Sequence, residues 1–203
     1  MPPHARPGLR AKQQGPARDA QDDETLLALY ARGDAAAARA LCARFTPMVH
    51  GLAFRLLGDR AEAEDVTQEA MLRLWKIAPR WRPGEARVGT WLYRVACNLC
   101  TDRLRRRRPL GLDEIAEPVD GRPRAEASVQ QAQRLAALEQ ALADLPERQH
   151  VALVLRHVEG RSNPEIAMIL GTSVEAVESL LSRGKRGLKR RLAGRKDELG
   201  RME

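Results

Sequence analysis

The sequence predicts an all-α protein: two small helical domains joined by a flexible linker, the second containing a helix-turn-helix. Three observations carry this. Ala and Leu dominate and β-branched residues are sparse, a balance that favours helix over sheet. No stretch shows the apolar–polar alternation of a half-buried strand. Pro109, Gly111, Pro118, Gly121 and Pro123 fall close together between two helical stretches, and such residues cannot share one helix. A length of 203 residues suits one large domain or two small ones.

Taken in order, residues 1–21 hold Pro2, Pro3, Pro7 and Pro16 among Arg and Gln. They lack the apolar run of a secretory signal and predict a disordered basic tail. Asp22 and Asp23 precede the first helical pattern and are placed to cap it. Gly33-Asp34 breaks and restarts the helix. A long amphipathic run continues to Leu57, with Pro47 marking a kink or a short break. After the Gly58-Asp59 turn, residues 61–77 read as helix. Pro79, Pro83, Gly84 and Gly89 mark a loop, and residues 90–108 are helical again, ending in Arg105 to Arg108. The first domain therefore spans 22–108 and the linker 109–127. Helical periodicity resumes at Ser128 and runs to Leu145. Pro146 opens a helix that Gly160 ends, and two further helices follow over Asn163–Leu170 and Ser173–Leu192. The second domain spans 128–194, and 195–203 is a charged tail that frays.

The formal net charge of +8 points to a polyanionic partner, either nucleic acid or an anionic membrane surface. An Arg-rich but otherwise ordinary chain would show the same charge. No run of about 18 apolar residues exists to span a bilayer, and the expected location is the cytoplasm. Three cysteines, Cys42, Cys97 and Cys100, are too few and too odd a set for a disulfide framework. Cys97-x-x-Cys100 reads as a zinc or redox pair, or as two small residues on a helix. There is no second cysteine pair, and His4, His50, His150 and His157 lie far off in sequence. The helix reading is therefore taken, with no metal and no cofactor. No paired carboxylates, activated nucleophile or phosphate-binding glycine loop stands out. The chain has no candidate catalytic residue and no expected small-molecule substrate, so an enzyme is the weaker reading.

Residues 162–181 combine several helix-turn-helix signals. Ser162-x-x-Glu165 is a capping box with Pro164 in the first turn, and Thr172-x-x-Glu175 reads as a second box. Ile166, Ala167, Leu170, Gly171, Val177 and Leu180 fit the spacing of the motif. Ala167 allows close helix approach, Gly171 a left-handed turn, and Val177 and Leu181 pack the second helix back. The outward face keeps Glu175, Glu178, Ser179, Ser182, Arg183 and Arg186, suited to base edges and phosphates. A three-helix bundle with a solvated face has the same capping boxes but does not require this spacing. Two further functions stand beside a DNA-reading role within a larger machine. One is a free-standing repressor or activator; the other is an enzyme built from scattered residues.

In the helix 90–105, Leu92, Val95, Ala96 and Leu99 define a buried stripe. Arg94, Asn98, Thr101 and Arg105 share the opposite face. The preceding loop offers Trp81, Arg82 and Arg87, against which extruded bases can stack or bond. A solvated helix face with a core tryptophan fits equally. Residues 59–69 form an acidic block of Asp59, Glu62, Glu64, Asp65 and Glu69 in a basic chain. It reads as a docking site for a basic protein, or as charges favouring a helix N-terminus.

Asp65-Val66-Thr67-Gln68-Glu69 with Leu74-Trp75 resembles the polymerase-binding helix of extracytoplasmic-function (ECF) sigma factors, of the sigma-70 superfamily. Thr90-Trp91-Leu92-Tyr93-Arg94-Val95-Ala96-x-Asn98 resembles their promoter-melting helix. Leu145-Pro146-Glu147-Arg148-Gln149 and Ser162-x-Pro-Glu165-Ile166-Ala167 resemble their second DNA-binding domain. The similarity spans about residues 22–192 in conserved order. It implies a transcription initiation factor that binds core RNA polymerase and promoter DNA, is a monomer when free, and is restrained by an anti-sigma factor. By the same resemblance Asp65, Gln68 and Glu69 contact core polymerase. Trp81, Arg82, Thr90, Trp91, Arg94, Asn98, Thr101 and Arg105 serve the minus-ten element. Glu175, Glu178, Ser179, Ser182, Arg183 and Arg186 serve the minus-thirty-five element. The sequence departs from many relatives at Glu178 and at Leu180-Leu181-Ser182, which are more basic or aromatic there.

Overall fold

The computed structural model describes residues 17–107 and 136–199. The linker reading over 109–127, the start of the helix read from Ser128, the tail before Ala17 and the last four residues, 200–203, lie outside the described residues. Among the described residues there is no strand, and no helix is long and apolar enough to cross a membrane.

Helix α1 (Ala17–Ala31) begins inside the segment read as a tail. Asp22 and Asp23 therefore lie within the helix rather than capping it. Asp23 is buried and ion-paired with Arg44 of the next helix, so its charge has an interior partner. Helix α2 (Ala35–Leu57) starts at Asp34, whose carboxylate accepts from the N–H groups of Ala36 and Ala37 at 2.7 and 3.2 Å. Of the two readings at Pro47, a kink or a short break, the break does not occur: α2 runs through it. A mid-helix proline costs about 3 kcal/mol. Phe45, Val49, Leu52 and Leu56 are all buried along this helix, each stabilising by roughly 1.5–3 kcal/mol, and together they outweigh that cost. Gly58 ends α2 with a left-handed φ of 66°, which glycine adopts without steric penalty.

Asp59 then caps α3 (Arg60–Ile77), accepting from Glu62 N–H at 2.9 Å. A short 3₁₀ turn, Ala78–Arg80, leads through the 81–87 loop into α4 (Val88–Arg107). Ala63, Val66, Ala70 and Leu74 of α3 are fully buried, as i, i+3, i+4 spacing requires.

The buried face of α4 is wider than the sequence stripe. Leu92, Ala96 and Leu99 are buried as expected, but so are Tyr93, Cys97 and Cys100, while Val95 is only half-buried. The helix has two packed sides because a second layer lies over it. That layer is built from α5 (described over 136–143), α6 (Glu147–His157), α7 (Asn163–Leu170) and α8 (Val174–Leu199). Six consecutive residues of α6, His150 to Leu155, are buried. A helix so enclosed has neighbours on all sides: α7 and α8 on one, α2 and α4 on the other. One apolar core therefore runs through both halves of the chain.

Helix α8 crosses α6 closely, through Gly184 and Gly187. A Cβ on Gly187 would lie 2.8 Å from Leu145, and one on Gly184 3.0 Å from Leu153. The helix continues to Leu199, past the point where fraying was expected at Gly194. One helical glycine costs only about 1 kcal/mol against alanine.

Candidate nucleic-acid interface

The helix-turn-helix is α7, a tight turn and α8. Ser162 and Glu165 form the full capping box: the Ser162 Oγ accepts from Glu165 N–H, and the Glu165 carboxylate accepts from Ser162 N–H at 2.9 Å. The Ser162 hydroxyl also donates to that carboxylate at 2.6 Å, and this bond first, then the one from Ser162 N–H, with Arg161 nearby, holds the Glu165 carboxyl below its ordinary pKa. Gly171 takes the left-handed φ of 59° expected of the turn. The second box is one residue out of place. Ser173, not Thr172, caps α8, accepting from Ala176 N–H at 3.2 Å. Thr172 N–H is committed to the Ala167 carbonyl at 3.0 Å, closing the preceding helix. Val177 and Leu181 are buried against Ile166 and Ile169, and Leu180 is half-buried.

Glu175, Glu178, Ser179, Ser182, Arg183 and Arg186 are all exposed. The Glu175 carboxyl is held below its ordinary pKa, first by its own backbone N–H and then by Ser173, so its negative charge persists beside the cations of this face. The exposed cations extend further along α8 than the sequence reading took them, to Lys185, Lys189 and Arg190. Their three- and four-residue spacing was the available signal.

On α4, Arg94, Asn98 and Arg105 are exposed. Thr101 differs: it is half-buried, and its hydroxyl donates to the Cys97 carbonyl at 2.7 Å, which occupies it within the helix. Thr90 and Trp91 are half-buried in the first turn. Trp91 meets Trp81 edge to face, with ring centroids 5.9 Å apart at 84°. The Trp81 indole N–H is buried and has no hydrogen-bond partner among the described residues. Arg82 is exposed and reaches Glu85 at 3.3 Å. The loop is tied to α1, because Gly84 N–H donates to Glu24 at 3.2 Å. An aromatic pair, an exposed amide and cations thus sit together on a restrained loop and helix.

The acidic block divides into two jobs. Asp59 caps α3, and with Glu62 it holds Arg107 from the end of α4, at 3.8 and 2.7 Å. Glu64 and Glu69 pair along their own helix with Arg60 and Arg73 at 3.0 and 2.8 Å. The Arg73 hydrogen bond is the main reason that the Glu69 carboxyl is held below its ordinary pKa. Asp65 and Gln68 are exposed. Asp65, Gln68 and Glu69 line one side of a groove of about 460 Å³ between α3 and α4, with Leu72 in its wall. Leu72 is 51% exposed, an apolar side chain standing among charges. Sequence reading missed Leu72, Arg103 and Arg106 as parts of this groove, because the pairing of α3 with α4 is a tertiary fact.

Cys97 and Cys100 are free and buried within α4, and burial pushes the Cys100 thiol up to about 12. Among the described residues no group of three or more His, Cys, Asp or Glu side chains is placed to hold a metal ion.

The chain is similar to known proteins over both halves. Residues 41–109 match the family model for Sigma-70 region 2, and residues 135–188 match that for Sigma-70, region 4. The chain is 34% identical over 185 residues to the ECF RNA polymerase sigma factor SigE of Mycolicibacterium smegmatis, covering 87% of this chain and 71% of that one. It is 31% identical over 183 residues to the RNA polymerase sigma-H factor of Pseudomonas aeruginosa, covering 85% and 94%. Among solved structures, CnrH in complex with the cytosolic domain of CnrY matches with a TM-score of 0.64 and 25% identity, over 85% of this chain and 98% of that one. With both region models matched in order and relatives above 30% identity covered over more than two thirds of their length, the chain belongs to the ECF RNA polymerase sigma factors of the sigma-70 family.

Proposed function

We propose that this protein directs core RNA polymerase to promoters through three surfaces on three helices. The α3–α4 groove, with Asp65, Gln68, Glu69 and Leu72, docks on a basic element of the polymerase. Asn98 and Arg94 on α4, with the Trp81–Trp91 loop, hold unstacked bases and backbone of the minus-ten element. The exposed face of α8 enters the major groove of the minus-thirty-five element. Residues 22–108 and 128–194 act as the two domains, joined by 109–127. The protein works in the cytoplasm, as a monomer until it meets its partners, and catalyses no reaction itself.

The observation that carries this reading is the presence of two exposed DNA-type faces in one chain, Asn98 on α4 and the Arg183–Arg186 turn of α8. A free-standing helix-turn-helix regulator has no use for the first face or for the groove. An anti-sigma partner is part of the proposal. CnrH was solved with the cytosolic domain of CnrY, and the Bartonella quintana RpoE with the anti-sigma factor NepR.

The test is in vitro transcription from a genomic fragment library with core polymerase and this protein. Promoter-dependent transcripts that need both components are expected. Transcription from core alone at the same sites, or none with both, overturns the reading.

A further inference from the structure

We propose that Glu159 is the catch of an interdomain latch that docks the helix-turn-helix half on α4 in the free protein, and that the latched form cannot occupy a promoter. The inference rests on the promoter-reading role above for its functional half. Its structural half stands alone.

Glu159 lies just after α6, and its side chain is only 7% exposed. A buried carboxylate is costly to leave unpaired. Both groups that satisfy it come from the first half of the chain. The Tyr93 hydroxyl of α4 donates to Glu159 Oε2 at 2.7 Å. The Arg55 guanidinium of α2 pairs with Oε1. From the second half, the Arg161 guanidinium lies over the Tyr93 ring, 4.3 Å from its centroid, a cation–π contact. The turn of the helix-turn-helix abuts the same helix: a Cβ on Gly171 would lie 3.6 Å from the Arg94 guanidinium. Four side chains, two from each half, thus form one connected cluster: Arg55 and Tyr93 on the Glu159 carboxylate, and Arg161 on the Tyr93 ring.

The geometry conflicts with two-site promoter binding. In the latched form, Tyr93 of the minus-ten helix is hydrogen-bonded to the residue preceding Gly160, in the same half that carries α8. The minus-ten and minus-thirty-five elements lie about 25 base pairs apart, roughly 85 Å at about 3.4 Å per step. Faces held within one core cannot reach both. Residues 108–135 can bridge such a distance, at roughly 3.3 Å per residue when extended. Promoter engagement therefore requires the latch to open, and every bond of the latch lowers the competent fraction.

The experiment is small-angle X-ray scattering of the full chain, followed by transcription titrations with core polymerase. Glu159→Arg and Arg55→Glu each set like charges against each other. Each is expected to shift the open-to-closed ratio at least tenfold and to enlarge the radius of gyration. The double charge swap, Arg55→Glu with Glu159→Arg, is expected to restore the compact form. Arg55 is on the surface of α2, so Arg55→Glu decides the matter if Glu159→Arg fails to fold. The opened variants are expected to reach half-maximal transcription at severalfold lower protein concentration, with an unchanged maximum. An extended wild-type chain, compact single variants, or a swap that stays open would overturn the latch. Opened variants with an unchanged transcription midpoint would overturn its inhibitory role. Absence of transcription from the wild type would instead count against the promoter-directing function, and the scattering result would stand.

Discussion

Asn98 shows how a single residue can be freed for function. It stands opposite the packed Leu92/Ala96/Leu99 side of α4 and is exposed. Its truncation leaves the core intact, while a good bidentate amide–base contact is worth about 1–3 kcal/mol of discrimination. Asn98→Ala is expected to impair minus-ten preference and strand opening, read by permanganate footprinting of the holoenzyme, without lowering thermal stability. Normal opening would remove Asn98 from the site. His150 poses the opposite case. It is 3% exposed inside α6, and burial lowers its pKa to about 4. The unfolded chain, with an ordinary value near 6.5, binds more protons between these values. Stability contributed by the neutral ring is therefore whole above pH 6.5 and falls as pH drops towards 4, by about 3 kcal/mol at most. His150→Leu is expected to flatten that slope in denaturant titrations at pH 7, 5.5 and 4.5. An unchanged slope would show that another group controls it.

At the scale of elements, α8 depends on smallness where it crosses α6. Gly187 is buried, and any Cβ there meets the Leu145 side chain at 2.8 Å. Gly187→Val is expected to lower stability by about 1–3 kcal/mol through overpacking, despite the gain in backbone preference over glycine. A melting temperature at or above wild type would mean that Leu145 yields freely. The α3 groove belongs to the same scale. Asp65→Lys with Glu69→Lys is expected to weaken core polymerase binding while leaving helical circular dichroism unchanged. Single exposed ion pairs contribute little, so the double variant is the informative one. Equal affinity for core at low and physiological salt would exclude the groove as the docking surface.

At the scale of the molecule, charge and connection matter more than any contact. Arg183→Ala with Arg186→Ala removes two exposed cations from α8. Holoenzyme binding to duplex is expected to weaken almost uniformly across sequences, with a shallower salt dependence, because phosphate contacts release counterions without reading bases. Loss confined to one minus-thirty-five sequence would instead assign these arginines to base edges. Limited proteolysis is expected to cut first between Pro109 and Ala127, where proline and glycine concentrate between helical stretches. Cleavage within α2 or α8 before the linker would argue against the two-domain organisation.

The sequence by itself determined most of the helices, the caps at Gly58, Ser162 and Gly171 and the family motifs, because these depend on neighbours three or four residues away. Asn163–Leu170 was legible to the residue, since Ser162, Pro164 and Gly171 fix both ends locally. All six outward residues of α8 were legible from periodicity alone. Local signals also misled. Asp22 and Asp23 resembled a cap but lie inside α1, where Asp23 finds Arg44, and of the kink or short break read at Pro47 the break is overridden by burial along α2. Only the tertiary structure decided that Tyr93, Cys97 and Cys100 are buried and that Leu72 lines a groove. It alone brought Arg55, Tyr93, Glu159 and Arg161 together. Periodicity reports which face of a helix is apolar, but a helix covered on two sides, or a carboxylate satisfied from a hundred residues away, leaves no periodic trace.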